Sequence, residues 1–166
     1  MEYKCIDCSV YKNIDEFRKS DRYKKGYVSR CIPCESKKNK ERRLRKNDLI
    51  NNNIMEYLSV KLRNMRKYDR KLGYEVFVYP TINDLKKLID NQDNICCYTG
   101  VKLEWNLKAD IYHKGSFDKI DNRYGHEVGN LAVCSVYANY MRGPMDRDEF
   151  IKKLDNLYID TIVDSP

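Results

Sequence analysis

Apolar residues recur at helical spacing in three segments of the chain, and each recurrence predicts an amphipathic helix. The first stripe consists of Ile54, Leu58, Leu62 and Met65. The second consists of Ile82, Leu85, Leu88 and Ile89, with Thr81 before it as an N-cap residue. The third consists of Phe150, Ile151, Leu154 and Leu157, after an acidic opening at Asp146 and Glu149.

Between the second and third helices the pattern predicts short strands. The segment "NICCYTGVKLEW" is an apolar turn and strand with Gly100 at the bend. Another strand ends near Ile120, the loop "NRYGHEVGN" follows, and "LAVCS" is the next strand. The segment "VYANYMRG" then predicts a short helix that stops at Gly143, before Pro144. Strands and helices in this order indicate an α+β fold class.

The N-terminal region carries two Cys-x-x-Cys pairs, Cys5 with Cys8 and Cys31 with Cys34. Two such turns complete the tetrahedral four-thiolate shell that structural Zn²⁺ prefers, with no position left open for a substrate. The apolar residues predicted to cap the ion are Phe17, Tyr23, Tyr27 and Val28. Four unmetallated thiols or a redox dithiol are the alternatives.

The formal charge of +7 indicates an anionic partner with repeating charge, and nucleic acid is the first candidate. Seven cations follow Cys34 in a predicted helix: Lys37, Lys38, Lys40, Arg42, Arg43, Arg45 and Lys46. At this density they would repel one another unless they face phosphates, although a solvated helix that binds nothing is the alternative. The segment "NDLINNN" is predicted to break this helix, because Asn and Asp favour caps and turns. The next helix would carry more cations on its outer faces, namely Lys61, Arg63, Arg66, Lys67, Arg70 and Lys71.

These patterns predict three regions, residues 1–40, 41–73 and 74–166. No apolar run reaches the roughly 18 residues that span a bilayer, and the polar start lacks a signal sequence, so we expect a soluble intracellular protein. The odd count of seven cysteines favours metal ligation or buried thiols over disulfides. Cys96, Cys97 and Cys134 form no Cys-x-x-Cys pair, so we predict buried small residues, with a partial metal site as the alternative.

Four short motifs occur in order in the second half: "CCYTG", "FDKID", "GN" before an apolar strand, and "ANYMRG" followed by "EF". In this order they resemble the HNH endonuclease family, and "CCYTG" resembles an element of many phage and viral members. The resemblance covers about half of the chain, from Asp84 to Leu157. It implies a ββα-metal motif in residues 74–166, in which a β-hairpin and a helix hold one divalent cation. It also implies a zinc ribbon at 1–40, a basic helical connector at 41–73, and a phage or viral protein that acts in a host cell.

The resemblance implies roles for individual residues. Asp118 and Asn139 would be the ligands of a catalytic Mg²⁺ or Mn²⁺, and Asn130 would tie the hairpin loop together. Two protein ligands leave positions for phosphate oxygens and water, which suits hydrolysis of a DNA phosphodiester. Arg142 lies one helical turn beyond Asn139 and is predicted to clamp a phosphate.

The general base departs from the family pattern. Many members place His directly after the first Asp, where this chain has Lys119. We expect Lys119 to contact the scissile phosphate, because a Lys accepts a proton near neutral pH only when its pKa falls by several units. The histidines are the other candidates: His113 needs a bulge at Gly115 to face the metal, and His126 can fold back from the hairpin loop. A metal-bound hydroxide without a protein base is a further alternative.

Three functional hypotheses follow. The first is a metal-dependent endonuclease that cuts double-stranded DNA, with the ribbon and basic helices docking the duplex. A double-strand break would require two sites or a homodimer. The second is a DNA-binding protein whose HNH scaffold has lost catalysis. The lysine after Asp118, where many family members have His, supports this hypothesis. The third is a protein-docking module of a replication or transcription assembly, which the basic run disfavours.

Overall fold

A computed structural model describes the backbone of residues 1–163 and the side chains of residues 1–156. Within this part the chain is mixed α and β, with five α-helices and three two-stranded antiparallel sheets. It divides into two compact units, the first running from Met1 to Asp48 and the second beginning at Leu49. None of the described helices combines the length and apolarity needed to cross a bilayer.

The first unit contains two small hairpins and most of one long helix. Strand β1 (Glu2–Lys4) pairs with β2 (Tyr11–Asn13), and β3 (Phe17–Lys19) pairs with β4 (Tyr27–Cys31). A 3₁₀ turn at Ile14–Glu16 joins the hairpins, and helix α1 (Ile32–Asn52) follows β4 directly. The buried centre consists of Cys5, Phe17 and Cys31, against which Tyr3, Tyr27 and Cys34 pack. So small a core places the thiols at the middle of the unit.

The structure corrects one prediction for this region and narrows another. Tyr23 is 44% exposed and does not cap the cysteines, unlike Phe17 and Tyr27. The helix break predicted at residues 47–53 is confined to Asn53, because α1 continues to Asn52 and α2 begins at Ile54. Ile50 is buried in the core of the second unit, so packing overrides the low helix propensity of the asparagines.

The second unit contains four helices and one hairpin in its described part. Its elements are α2 (Ile54–Leu72), α3 (Ile82–Asn91), β5 (Gly115–Lys119), β6 (Leu131–Ser135), α4 (Val136–Arg142) and α5 (Arg147–Val163). Strands β5 and β6 are antiparallel, with Phe117 opposite Val133. Thr81 caps α3 in a capping box with Asp84, and Gly143 ends α4, as predicted.

The segment before β5 differs from the prediction. Residues 94–105 form two isolated bridges, Ile95 to Lys102 and Glu104 to Lys114, instead of a strand. The chain turns back at Gly100, where Cys96 N donates to Val101 O and Gly100 N donates to Cys96 O. In α5, Phe150 is buried as predicted, whereas Leu157 lies outside the described side chains.

Packing against Trp105 determines the face of β5 on which Asp118 lies. The ring of Trp105 lies so close to Gly115 that a Cβ there would be 2.7 Å from it, and the Trp105 and Phe117 ring centroids are 5.2 Å apart. Successive side chains of a strand point to opposite faces. Since Gly115 and Phe117 face Trp105, Ser116 and Asp118 occupy the opposite face of β5.

Candidate functional site

A cavity of about 690 Å³ in the second unit brings together four of the predicted site residues. Asp118 and Lys119 come from β5, Asn139 from α4, and His126 from the loop between β5 and β6. Helix α2 adds Lys61, and the lining also contains tyrosines and the hydroxyl-bearing Ser116. Of the other predicted residues, His113, Asn130 and Arg142 do not line it.

Asp118 is held by hydrogen bonds to one of its two oxygens. Its Oδ2 accepts from the hydroxyl of Tyr98 at 2.6 Å and from Arg142 Nη1 at 2.6 Å, and the residue is only 6% exposed. Burial raises the pKa of Tyr98 above its usual range, and the bond to Asp118 raises it further, so the phenol stays a donor. Both bonds end on Oδ2, which leaves Oδ1 as the oxygen for a ligand.

Arg142 lies beneath the site and corrects the prediction of a phosphate clamp. It is 1% exposed and donates to the carboxylate of Asp118 and to the backbone oxygen of Lys119, each at 2.6 Å. A guanidinium engaged and buried in this way is not presented to an incoming phosphate. Its position supports Asp118 and joins α4 to β5 instead.

Asn139 is anchored through the nitrogen of its amide. Ser135 caps α4, and Asn139 follows in the middle of this short helix. The Nδ2 group of Asn139 donates to Phe117 O at 3.0 Å and to Ser116 Oγ at 3.4 Å. Because the nitrogen points to β5, the amide oxygen is the atom that remains for a ligand.

Asn130 closes the loop between β5 and β6. Its Oδ1 accepts from Asp121 N at 2.8 Å, and its Nδ2 donates to Asp121 O and Gly125 O, both at 3.0 Å. Asn130 is 8% exposed, so these bonds satisfy a buried amide. The side chain therefore fixes the shape of the loop that carries His126.

His126 is paired with a carboxylate that the sequence analysis does not identify. Its Nδ1 lies 2.7 Å from Asp69 Oδ1, and its backbone N–H donates to Asp69 Oδ2 at 3.1 Å. Asp69, on α2, is completely buried. Because a carboxylate accepts, Nδ1 carries the proton, and Nε2 is the ring nitrogen with a free lone pair. His126 is thereby held in one orientation at the wall of the cavity.

Gly125 permits this pairing. A Cβ on Gly125 would lie 2.4 Å from Val76 Cγ2 and 3.3 Å from Asp69 Cγ, so the loop backbone passes directly over the carboxylate. The sequence does contain a signal for Asp69, because it continues the apolar stripe of α2 four residues after Met65. An acid at a buried stripe position needs a partner, and this one is found in His126.

Lys119 is enclosed by aromatic rings and is 6% exposed. Its Nζ lies 3.9 Å from the ring centroid of Tyr74 and 6.0 Å from that of Tyr68, and it donates to Asn122 O at 3.3 Å. Aromatic faces attract an ammonium group, so the two rings help to hold Nζ in place. Such a setting suits a fixed positive charge in the cavity.

Lys61 lines the same cavity, whereas the sequence analysis places it on the outer surface of α2. Burial lowers the pKa of Lys61 to about 8, and the nearby Lys114 acts in the same direction against an opposing contribution from Cys134. The predicted outward position is correct for Arg63, Lys67, Arg70 and Lys71, which are exposed. Lys61 is therefore a second cation of the cavity.

His113 lies away from this group of residues. Its Nδ1 is 2.9 Å from Asp110 Oδ2, and its side chain is 48% exposed. The bond to His113 lowers the pKa of Asp110 below its usual range. No bulge at Gly115 brings His113 toward the cavity, since Gly115 pairs regularly with Ser135.

The four predicted zinc ligands converge in the first unit. One Sγ from each of Cys5, Cys8, Cys31 and Cys34 lies within 4.8 Å of the other three. The backbone N–H of Cys31 donates to Cys5 Sγ at 3.3 Å. Hydrogen bonds from backbone groups, that of Cys8 foremost, lower the pKa of Cys5 to about 6, whereas the neighbouring thiols, Cys31 foremost, raise that of Cys34 to about 12. Sulfurs gathered in this way can hold one metal ion.

The other cysteines form no such cluster within residues 1–156. Cys96 and Cys134 are buried, and the Sγ of Cys96 accepts from Ser135 N at 3.3 Å. Burial raises the pKa of Cys97 to about 11 and that of Cys134 above its usual range.

The seven cations predicted on α1 are all exposed on its surface.

The comparisons with known proteins give one structural likeness. No protein-family model and no curated protein matches the chain. A solved structure of the rare-cutting HNH restriction endonuclease PacI aligns with 93% of this chain and 92% of its own, at 13% identity and a TM-score of 0.44. A likeness of that size assigns no role to any residue, so the roles below depend on side-chain geometry.

We predict that the protein binds one zinc ion per chain through the cysteine cluster. Replacing one ligand, as in Cys8→Ser or Cys34→Ser, leaves three thiolates, and the zinc content should fall toward zero. Metal analysis of the purified protein measures this. Cys97→Ser is the matched control and should keep its zinc; equal loss in Cys97→Ser, or a wild type without zinc, would contradict the assignment.

We predict that the buried charge of Lys61 destabilises the second unit at neutral pH. Its folded pKa, about 8, lies below the unfolded value of 10.5, so the penalty is full below pH 8 and disappears as the pH rises toward 10.5. Lys61→Met should raise the free energy of unfolding by about 1–3 kcal/mol at pH 7, with little difference left at pH 10.5. Urea unfolding followed by the fluorescence of Trp105 measures the difference.

The exposed Lys67→Met on the same helix is the control, and it should change stability little at either pH. Taking the difference between variant and wild type cancels the other groups that titrate in this range. A stabilisation that is equally large at both pH values would show that better packing of the methionine, and not removal of a charge, governs the effect.

Proposed function

We propose that the protein is a metal-dependent endonuclease of the HNH type that hydrolyses phosphodiester bonds of double-stranded DNA. The observation that carries the proposal is the convergence of Asp118, Lys119, His126 and Asn139 on one cavity. An acid and an amide can bind a metal ion, a fixed cation can bind phosphate and an oriented imidazole can accept a proton, and together these roles suit phosphodiester hydrolysis. The surplus of basic residues suits a polyanionic substrate.

The residues present fit a hard divalent cation such as Mg²⁺ or Mn²⁺. Asp118 Oδ1 and the amide oxygen of Asn139 are the candidate ligands, because the other polar atom of each side chain is already engaged. Oxygen atoms of this kind are the ligands such ions prefer. When bound, the ion would supply charge stabilisation for the phosphate oxygens and for the departing oxygen.

Lys119 would hold the scissile phosphate. Its ammonium is fixed by the ring of Tyr74 and by Asn122 O, so it needs little reorganisation to meet a non-bridging oxygen. Lys61 provides a second positive charge in the same cavity. Both residues would act by electrostatic attraction and keep their protons during the reaction.

His126 would be the general base. Its Nε2 takes a proton from water, the water oxygen forms the new bond to phosphorus, and the bond from phosphorus to the leaving oxygen breaks on the opposite side. Asp69 holds Nδ1–H and stabilises the imidazolium that results. This arrangement replaces the base that the family places directly after the first Asp, and His113 takes no part in it.

The first unit would dock the duplex, with a structural zinc ion at the cysteine cluster and phosphate contacts from the exposed cations of α1. Cutting both strands would require two copies of the chain. A second candidate function is a DNA-binding protein without catalysis, which the buried pair of Asp118 and Arg142 favours. That guanidinium neutralises the carboxylate and so weakens its attraction for a cation.

Nicking of supercoiled plasmid by the purified protein, with Mg²⁺, Mn²⁺ or no divalent ion, separates the two candidates. We expect metal-dependent nicking, and a loss of about 100-fold or more in Asn139→Ala or Lys119→Ala, the size typical of losing one preorganised electrostatic group. Asn64→Ala removes another amide from the cavity wall and should stay near the wild-type rate. DNA binding without nicking under any of these metals would favour the scaffold without catalysis.

The assignment of the base has its own test. His126→Ala should lower the nicking rate by about 100-fold or more, the usual contribution of a general base, and added imidazole should restore part of it. Asp69→Asn should lower kcat with little change in KM, because it disorients the base without removing a substrate contact. His113→Ala is the control histidine and should retain activity; a loss in His113→Ala that matches the loss in His126→Ala would overturn the assignment.

A further inference from the structure

A basic concavity lies in the first unit, formed between the β3–β4 hairpin and α1. Its volume is about 520 Å³. Six cations line it: Arg18, Lys19, Arg22, Arg30, Lys38 and Arg42. Glu35 is the one acidic residue of the lining, so the concavity carries a surplus of five positive charges. Tyr23 and Val28 add apolar surface.

The structure separates the cations of α1 into two groups. Lys38 and Arg42 line the concavity, and Glu35 and Asn39 lie on the same helix face, at the i, i+3, i+4 and i+7 spacing. The other five cations of the α1 run do not line it. The hairpin contributes four cations that the sequence analysis does not consider. The charge at this place is therefore gathered from two elements.

Two of the hairpin arginines already have carboxylate partners. Arg18 Nε lies 3.3 Å from Glu35 Oε2, and Arg30 Nε lies 2.8 Å from Asp7 Oδ2. The remaining lining cations, Lys19, Arg22, Lys38 and Arg42, make no ion pair with any residue whose side chain the structure describes. Four positive charges thus stand together without counter-charge from this part of the protein.

We propose that this concavity binds the phosphate backbone of DNA and forms a contact site separate from the cavity of the second unit. The cations stand on an exposed surface, which cannot select a small anion against water, whereas a polymer with regularly spaced charges engages them together. Lys38 and Arg42 are about 6 Å apart along the helix axis, so they can contact two phosphates of one strand. The inference rests on the proposed function only for the identity of the polymer.

The test compares two variants of the 166-residue chain, loaded with zinc, that each lose two positive charges. Arg22→Gln/Lys38→Gln changes the concavity, and Lys4→Gln/Lys24→Gln changes exposed cations of the same unit outside it. Binding to a labelled DNA duplex is measured by fluorescence anisotropy over a range of salt concentrations, without Mg²⁺. Zinc content and circular dichroism verify that both variants are folded.

The concavity variant should bind roughly tenfold more weakly at low salt, and the slope of log K against log salt should become shallower by about 1.8, or 0.9 for each lost phosphate contact. The control variant should change the slope much less. The concavity variant should lose the same amount of affinity for two duplexes of unrelated sequence, because backbone contacts carry no base preference. An equal slope change in the control, an unchanged slope in the concavity variant, or a loss confined to one sequence would overturn the proposal.

Two further outcomes identify the partner and keep this proposal apart from the nuclease. In a competition assay, polyglutamate and unlabelled DNA are compared at equal charge as competitors of the labelled duplex. If polyglutamate competes as well as DNA, the concavity recognises acidic protein, and the nucleic-acid assignment is overturned. Binding is measured without cleavage. Selective loss of binding in the concavity variant would therefore support this proposal even if no metal supports nicking by the wild type.

Discussion

The buried ion pair between Asp118 and Arg142 is the interaction on which the geometry of the cavity depends. Arg142 comes from the last turn of α4 and bonds both the side chain of Asp118 and the backbone of β5 at Lys119. Taking two charges out of water is costly, and a buried pair offsets that cost only when its geometry is good. Removing the guanidinium would leave the carboxylate buried without its charge partner. The pair therefore stabilises the packing of α4 against β5.

A second buried carboxylate holds the loop that carries His126. Asp69 belongs to α2, yet both of its oxygens accept from His126 in the loop between β5 and β6. The side chain of Asn130 bonds the backbone of the same loop, and the absence of a Cβ at Gly125 lets this loop approach α2 closely. Asp118, Asn139 and His126 are thus each held by an element other than their own, which gives a preorganised site on a small scaffold.

The sequence predicts most elements of this fold because their signals are local. The apolar stripe of α2, the capping box at Thr81 and the Gly at the end of α4 each specify their own structure. The resemblance of the motifs to a known family also selects Asp118, Lys119 and Asn139, which line one cavity. The role of Arg142 was mistaken because helical spacing shows that it is near Asn139 but not whether it is buried. The pairing of Asp69 with His126 connects residues 57 positions apart, and no local pattern encodes such a contact.

That separation along the chain also orders the events of folding. Contacts between distant residues form only after the loop between them closes, so they tend to come late. Synthesis proceeds from the N-terminus, and all four clustered cysteines and the α1 cations precede Asp118, His126 and Asn139 in the chain. A growing polypeptide therefore acquires its positively charged surface before it can assemble the imidazole, carboxylate and amide of the cavity. During translation, the basic surface proposed to contact nucleic acid would be complete before the cavity proposed to be catalytic.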